Sequence, residues 1–365
     1  MARIAWLSSS PRKLNGYGVP TALWLPVLAK MGHQVTALTF DQEEDDTWEG
    51  VPVKGTDQAN DWLAAYQLAA SAAAQADLLI MLMDPWAIPP TLVRDLPCQV
   101  AAWFPVDCSP LSRLDRKWFA ESGAYPVPMS EWGAQVLDDA GFQSWPIPYA
   151  YDPGVFHVDW QARDALRTAA GLDGKHVVGI NAGNTARKGW PEMLAAYARF
   201  WHTHHDAVVL HANVTTGGDG PDLLAIKAAL DLPPQAITWT KDIPPDGMAD
   251  WYRVLDVYLN GSYGEGFCLP LVEAQACGVP VICTGIPPMD CEAGKLGRHV
   301  RHQFRWTELH KSAWQTPIIA DMFTALQESR HRNSTQTGRI STYVQERYAV
   351  GTVAPLWAEL IRELT

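Results

Sequence analysis

Two carboxylates, Glu265 and Glu273, stand on either side of a short glycine-containing stretch in the second half of the chain. A carboxylate repels phosphate but accepts hydrogen bonds from hydroxyl groups. The pair therefore suits the two ends of a nucleotide sugar, where hydroxyl-bearing rings flank a diphosphate. In the plainer interpretation, Glu273 complements a helix dipole and Glu265 is a solvated loop charge.

The stretch around these acids has the pattern of an anion site. An apolar run at 254–259 predicts a buried strand, Pro270 is suited to the first turn of a helix, and Gly278 is suited to the end of that helix. Residues 279–283 then predict the next strand. The loop would lie at the carboxyl end of a parallel strand and at a helix N-terminus, where N–H groups and the helix dipole favour phosphate.

Two adjacent cations precede another predicted helix. Arg187 and Lys188 follow a predicted strand at 176–181 and come before a helix that begins near Pro191. Arginine holds two phosphate oxygens in a fork, and lysine adds a mobile point charge. The alternative is a pair of solvated cations in front of a helix.

Two strand ends in the first half of the chain carry further candidates. Gly16, Tyr17 and Gly18 form a turn between a predicted strand and a predicted helix, although glycine pairs in turns are commonly structural. Asp107 follows a predicted buried strand at 99–104, at the sheet edge where ligands bind. The alternative role of Asp107 is to cap the following turn.

Strands and helices alternate along the chain, which is typical of α/β proteins with parallel sheets. A length of 365 residues suits two domains, each with its own core. Prolines at 146, 148 and 153 would stiffen a linker, so we place the domain boundary near His157. After Cys283 the regular pattern weakens from Gly285 to Gln303, and the next predicted helix begins near Ile318.

Composition excludes some functions. The formal net charge of −12 argues against a long basic surface for nucleic acid, though not against a local patch. The six cysteines show no C-x2-C pair and no histidine spacing typical of zinc, so reduced thiols are favoured. No signal peptide or membrane-spanning run is apparent, and we expect a cytoplasmic location. The 17 tryptophans hint at sugar stacking, but core packing is the commoner explanation.

The stretch E-G-F-C-L-P-L-V-E-A-Q-A-C-G-V-P-V, from Glu265 to Val281, resembles the E-x7-E signature of retaining glycosyltransferases of family four. Those enzymes usually read E-G-F-G-L-P-x-x-E-A-x-A-C-G-x-P-V. Arg187 and Lys188 with the next glycine resemble the family's R-K-G element. One departure is Cys268 in place of glycine, which narrows the backbone's approach to a diphosphate. Another is Val106 before Asp107, where many members have histidine.

The resemblance implies the GT-B fold, an α/β architecture of two Rossmann-like domains facing each other across a cleft. The domains would be 1–157, on the acceptor side, and 158–348, which binds the donor. Residues 349–365 would pack back on the first domain. The reaction implied is transfer of a glycosyl group from a nucleotide diphosphate sugar to an acceptor hydroxyl, with retention of anomeric configuration and without a metal or cofactor.

The resemblance also assigns roles. Glu265 would hold hydroxyls of the transferred sugar, and Glu273 would hold the ribose. The implied catalytic residues are Glu265 and Asp107. The implied donor-binding residues are Gly16, Tyr17, Gly18, Arg187, Lys188, Gly266, Phe267, Cys268, Leu269 and Glu273.

Other functions stay open at this point. A nucleotide-sugar epimerase, a phosphorylase or an inactive sugar-binding scaffold could share the two-domain plan. The donor could be a UDP-sugar or a GDP-sugar. The acceptor could be a saccharide, a lipid, a small molecule or a modified DNA base, and we expect no integral membrane association.

Overall fold

Two mainly parallel β-sheets organise the structure, a computed structural model that describes residues 1–56, 59–205, 208–215, 220–331 and 335–365. Each sheet lies in its own compact unit. The first unit comprises 1–150, 307–313 and 350–365, and the second comprises 151–306 and 314–349. The chain passes between the units after Ala150, seven residues before the predicted boundary near His157.

The first unit alternates strands and helices, most of them predicted from apolar runs. Its strands are β1 (Arg3–Ser8), β2 (Gln34–Thr39), β3 (Asp46–Trp48), β4 (Val51–Lys54), β5 (Leu78–Leu82), β6 (Gln99–Phe104) and β7 (Tyr125–Pro128), and its first helices are α1 (Gly18–Lys30), α2 (Trp62–Ala73), α3 (Pro90–Arg94), α4 (Arg113–Ser122) and α5 (Glu131–Asp139). The sheet order is β3-β4-β2-β1-β5-β6-β7, and only the pair of β3 and β4 is antiparallel. Strand β5 is buried throughout, as expected for a parallel strand covered on both faces.

The second unit repeats this plan. Its elements are α6 (Trp160–Ala169), β8 (His176–Gly183), α7 (Trp190–His204), β9 (Val208–Thr215), α8 (Leu223–Ala229), β10 (Ile237–Thr240), α9 (Pro245–Arg253), β11 (Val257–Asn260), α10 (Leu269–Ala276), β12 (Val281–Thr284), α11 (Met289–Ala293), β13 (Arg298–Val300), β14 (His302–Thr307), β15 (Ser312–Pro317), α12 (Ile319–Ser329) and α13 (Thr335–Tyr348). The main sheet runs β10-β9-β8-β11-β12-β13, with every neighbouring pair parallel.

The order of the second sheet locates its ligand site. Chain direction along the sheet reverses at β8, which has β9 on one side and β11 on the other. The loops after β8 and β11 must leave in different directions and open a crevice at the carboxyl ends of these two strands. Those loops carry Arg187, Lys188 and Glu265.

The hairpin of β14 and β15 was not predicted. Almost every residue of β14 is exposed, so the strand lacks the apolar alternation from which strands are recognised. The range Gly285 to Gln303, where the sequence pattern weakens, nevertheless contains α11 and β13. The hairpin tip, 307–313, belongs to the first unit.

A tryptophan cluster fixes the last helix, α14 (Val350–Leu364), in the first unit. Trp357 on this helix lies 5.8 Å from Trp6, 5.8 Å from Trp24 and 5.0 Å from Trp103, measured between ring centroids. All four rings are fully buried. Core packing is thus the explanation for these tryptophans. None of the helices formed by the described residues combines the length and apolar character that crossing a bilayer requires.

Helix α6 is held by charge, because it has no buried residue of its own. Arg163 and Arg167 reach the carboxylate of Asp256 at 2.6 Å and 3.1 Å. The same carboxylate accepts a hydrogen bond from the backbone N–H of Val177 at 2.8 Å. Asp256 therefore ties α6 to the start of β8 and to the turn before β11.

We expect Asp256→Ala to destabilise the protein by about 3 kcal/mol or more, because it leaves two largely buried guanidinium groups without their counter-charge. Asp250→Ala is the matched control, since the ion pair of Asp250 with Arg253 is half exposed at the carboxylate and should contribute about 1 kcal/mol or less. Urea unfolding of both variants measures the difference. Equal losses would contradict the role assigned to Asp256.

Candidate functional site

Three of the predicted site residues meet directly at the carboxyl ends of β8 and β11. Arg187 Nη1 lies 2.6 Å from Glu265 Oε2, and Lys188 Nζ lies 2.6 Å from Glu265 Oε1. Arg187 Nη1 also donates to the carbonyl oxygen of Gly264 at 2.7 Å. We call Arg187, Lys188 and Glu265 the ion cluster. Since it holds two cations and one anion, its net charge is +1.

The environment of Glu265 fixes its ionisation state. Its side chain is only 6% exposed. Burial alone would raise the pKa of this carboxyl, but the charges and hydrogen bonds of Arg187 and Lys188 outweigh burial and lower the pKa to about 2. Glu265 is therefore a carboxylate at neutral pH and cannot serve there as a proton donor.

The two loops that carry the ion cluster are locked together through their backbones. The N–H of Tyr263 donates to the carbonyl oxygen of Arg187 at 2.8 Å, and the Tyr263 hydroxyl donates to Glu192 at 2.6 Å. Gly189 has a φ of 65°, and a Cβ atom there would lie 1.9 Å from the carbonyl oxygen of Gly261. Only glycine fits at this crossing, so R-K-G has a steric as well as an electrostatic basis.

Helix α10 begins beside the ion cluster. Gly266 and Phe267 lead to Cys268, and the helix starts at Leu269, so the N–H groups of its first turn have no carbonyl partner within the helix. Cys268 has a φ of 102°, a conformation that glycine adopts at little cost and other residues adopt with strain. Its thiol accepts a hydrogen bond from Asn260 Nδ2 at 3.3 Å. The backbone at Cys268 thus has a conformation that favours glycine.

Glu273 lies within α10 in a second buried network. Its Oε2 accepts a hydrogen bond from the Tyr252 hydroxyl at 2.9 Å, and Asn181 Nδ2 donates to that hydroxyl at 2.9 Å. Asn213 Nδ2 donates in turn to Asn181 Oδ1 at 3.1 Å. Burial raises the pKa of Glu273 to about 7, against a lowering by the Tyr252 hydrogen bond.

The roles of Asn181 and Asn213 were not predicted. They are register partners on β8 and β9. The sequence does show an asparagine among the mainly apolar residues of each strand. It does not show which group the asparagine side chain contacts.

Glu292 is a buried acid that is not among the predicted site residues. It is 1% exposed, and neither carboxylate oxygen has a hydrogen-bond partner among the described residues. Burial, followed by the charges of Glu265 and Asp290, raises its pKa well above the usual value. The surroundings of Glu292 therefore favour the neutral form of its carboxyl group.

The remaining candidates lie in the first unit. The N–H groups of Tyr17 and Gly18 donate to Asn15 Oδ1 at 3.0 and 2.7 Å, and the carbonyl of Gly16 accepts from the Tyr149 hydroxyl at 2.8 Å. A Cβ atom on Gly18 would lie 2.2 Å from the carbonyl oxygen of Lys13. Gly18 thus has a packing reason to be glycine, and Asn15 occupies two N–H groups of the predicted phosphate loop.

Asp107 lies after β6, among other polar side chains. Val106 before it is buried in the core. Asp107 and Asp84 both raise the pKa of Asp115, which reaches about 7 chiefly through burial, so acidic groups from three segments share this end of the unit. His310, from the hairpin tip, also lies near Asp107.

Solved structures of GT-B glycosyltransferases resemble the chain over its whole length. Sucrose-phosphate synthase from Thermosynechococcus elongatus has a TM-score of 0.81 at 16% identity, covering 100% of this chain and 99% of that one. HepE from Anabaena, in complex with UDP and glucose, has a TM-score of 0.75 at 16% identity with full coverage of both chains. WaaG, a glycosyltransferase involved in lipopolysaccharide biosynthesis, has a TM-score of 0.72 at 12% identity, covering 99% of each chain. The predicted GT-B fold is confirmed.

The sequence match to a protein family lies within the second unit. Residues 176–303 match the family model described as Glycosyl transferases group 1. A D-inositol 3-phosphate glycosyltransferase from Rhodococcus opacus (strain B4) is 33% identical over 144 residues, 38% of this chain and 31% of that protein. Another, from Streptomyces bingchenggensis (strain BCW-1), is 51% identical over 41 residues, 11% of this chain and 9% of that protein. The chain thus spans about a third or less of these curated relatives.

The strained backbone at Cys268 predicts that glycine at this position is more stable than alanine, the reverse of the usual order. Cys268→Gly should be more stable than Cys268→Ala by about 1 kcal/mol, since glycine removes the Cβ clash of a positive φ. At Cys277, which is also buried but has a φ of −75°, alanine should be the more stable by about 0.5–1 kcal/mol. Thermal unfolding of the four variants gives both differences. The same order at both positions would disprove the strain at Cys268.

The pKa of Glu273 predicts a pH dependence of stability. Because the folded-state pKa of about 7 exceeds that of an unfolded carboxyl, the folded chain binds more protons between the two values. The contribution of Glu273 to the free energy of unfolding is therefore fully present at acid pH and is lost as pH rises toward 7. Glu273→Gln, which cannot ionise, should lose less stability than the wild type over this window. Parallel stability curves in urea would refute the assignment.

Proposed function

We propose that this chain is a glycosyltransferase that moves a sugar from a nucleotide diphosphate sugar to an acceptor hydroxyl with retention of anomeric configuration. The observation that carries this proposal is the ion cluster beside the N-terminus of α10, where the strand order of the second sheet reverses between β8 and β11. A diphosphate needs concentrated positive charge, and a transferred sugar needs a hydroxyl acceptor. Arg187, Lys188 and Glu265 supply both in one place.

The diphosphate is assigned to the cations and to the backbone of Gly266, Phe267, Cys268 and Leu269. The ion cluster has a net positive charge, and Arg187 and Lys188 remain 27% and 20% exposed at their side chains. Glu265 holds both cations in place before the donor arrives, so little reorganisation accompanies binding. With protein groups meeting the charge, we propose that diphosphate binding requires no metal.

Glu265 is assigned to hydroxyls of the transferred sugar. A carboxylate that already pairs with two cations is a weak nucleophile, which disfavours the glycosyl-enzyme route of retaining glycosidases. We propose instead that the departing phosphate takes the proton of the acceptor hydroxyl on the same face of the sugar. Glu265 then stabilises the sugar as it gains positive character.

Glu273 is assigned to the ribose. Tyr252 fixes one carboxylate oxygen, so the orientation of the group is set before any ligand binds. Ribose hydroxyls would donate to the carboxylate and favour its ionised form. HepE, similar to this chain in fold, has been crystallised with UDP and glucose, which fits a donor of this chemical class.

Lys188→Ala should weaken binding of the cognate nucleoside diphosphate about ten-fold or more while sparing the nucleoside, because a charge-assisted contact is worth about 1.5–3 kcal/mol and the proposed contact of this cation with the ligand is to phosphate alone. Calorimetry with UDP, GDP, ADP and their nucleosides measures both affinities. Lys117→Ala, an exposed lysine on α4, is the control and should change neither. Equal losses for nucleoside and nucleotide in Lys188→Ala would remove the diphosphate assignment.

Glu265→Gln should keep nucleoside diphosphate affinity within about two-fold and lower kcat by about 100-fold or more, since the loss of transition-state charge stabilisation falls on turnover. Glu273→Gln should instead weaken the nucleoside diphosphate, because an amide has one acceptor oxygen in place of two. Transfer of radiolabelled sugar to saccharide, lipid and modified-base acceptors gives kcat, with anomeric configuration read by NMR. An inverted product, or a Glu265→Gln enzyme with normal kcat, would overturn the proposal.

A further inference from the structure

Three side chains with different metal-ligating atoms converge in the first unit. The carboxylate of Asp107, the thiol of Cys108 and the imidazole of His310 place one ligand atom each within 4.8 Å of one another. Asp107 and Cys108 follow β6, whereas His310 comes from the hairpin tip. Cys108 is 3% exposed, and the other two are half-buried. We call these residues the Asp-Cys-His cluster.

The backbone holds the two segments of this cluster together. The N–H of Arg113 donates to the carbonyl oxygen of His310 at 3.2 Å, and the Ser312 hydroxyl donates to the carbonyl oxygen of Pro110 at 2.6 Å. Ser109 and Ala313 form an antiparallel bridge between the same segments. These contacts hold the two segments against each other on both sides of the cluster. The fold therefore brings the three ligand atoms together before any metal binds.

The charge around the cluster favours a cation. Asp84 and Asp107 both interact electrostatically with Asp115, and Asp107 and Asp115 act likewise on Cys108. Acidic side chains gathered at a partly buried site repel one another when they are ionised. A divalent cation would relieve that repulsion.

We propose that Asp107, Cys108 and His310 bind a Zn²⁺ ion and leave one coordination position open. Thiolate, imidazole and carboxylate are the ligands that zinc prefers, and three protein ligands with an open position are the arrangement of catalytic rather than purely structural zinc sites. The Cys108 thiol gives up its proton to solvent when it coordinates the metal. The half-exposed side of the site, at Asp107 and His310, lets a water or substrate hydroxyl oxygen reach the fourth position.

This site is separate from the proposed donor function. Its ligands all belong to the first unit, whereas the ion cluster and Glu273 belong to the second. The spacing of cysteine and histidine in the sequence gave no sign of zinc, because His310 reaches Asp107 only through the unpredicted hairpin. In the proposed donor site, the charge of the diphosphate is met by Arg187 and Lys188, and the zinc site has no part in it.

Metal content and cobalt spectroscopy test the proposal on the full-length chain. Purified protein, stripped with chelator and reloaded with ZnCl2, should retain one zinc per chain after desalting. The Co²⁺-substituted protein should show a thiolate-to-cobalt charge-transfer band in the near ultraviolet. Cys108→Ser should abolish that band, and His310→Ala should weaken Zn²⁺ binding beyond the roughly 10–100-fold that even outer partners of a zinc site cost.

Matched controls separate the cluster from nonspecific binding. Cys98→Ser changes another cysteine of the first unit, and His302→Ala changes an exposed histidine of the same hairpin; both should keep one zinc and the charge-transfer band. Circular dichroism establishes that each variant is folded. Nucleoside diphosphate affinity should be the same in His310→Ala as in the wild type, so failure of the zinc site and failure of the donor assignment give different results.

Three outcomes would overturn the proposal: a wild-type chain without stoichiometric zinc, a cobalt spectrum without the thiolate band, or a folded Cys108→Ser variant that keeps wild-type Zn²⁺ affinity. In each case the cluster would be a group of neighbouring polar side chains and not a metal site.

Discussion

The buried carboxylate of Glu265 is the group on which the donor side of the structure depends. An ionised carboxylate out of water is very costly unless cations and hydrogen bonds surround it. Arg187 and Lys188 meet that requirement at 2.6 Å each. They can do so only because β8 and β11 are neighbours in the sheet, which brings the loop of the cations beside the loop of the acid. The sheet order is thus the physical origin of the ion cluster.

Glu265 and Glu273 have the same side chain, but their different surroundings give the two carboxyl groups different pKa values. Both are buried, and both lose hydration. Two cations hold the pKa of Glu265 at about 2, whereas a single neutral hydroxyl leaves that of Glu273 at about 7. One acid is a permanent anion that holds cations in place. The other is poised to change its charge when a hydroxyl-bearing ligand binds.

The two units achieve stability by different means around similar sheets. In the first, four tryptophans pack in edge-on and tilted pairs and secure the C-terminal helix through apolar contact. In the second, helix α6 has no buried residue and is held by arginine forks on Asp256 and on nearby carbonyl oxygens. A substitution that spares the apolar core can therefore still unfold part of the second unit.

Much of the fold could be predicted from the sequence, because parallel strands and their helices are marked by local patterns. Apolar runs located β5, β6 and β11, and Pro270 with Gly278 marked α10 within a residue or two at each end. The departure at Cys268 was also visible. Its meaning was not, since only the backbone shows that the position has a φ of 102°.

The sequence by itself determined the α/β class, the GT-B fold and the residue types that suit a nucleotide sugar. The tertiary structure alone decided which of those residues meet. It paired both cations with Glu265, joined Glu273 to Asn213 through Tyr252 and Asn181, and brought His310 to Asp107 on an exposed hairpin that no periodicity marks. Local patterns reflect burial over a few neighbouring residues. Contacts between distant residues depend on strand order and register, which the chain sets only when it folds as a whole.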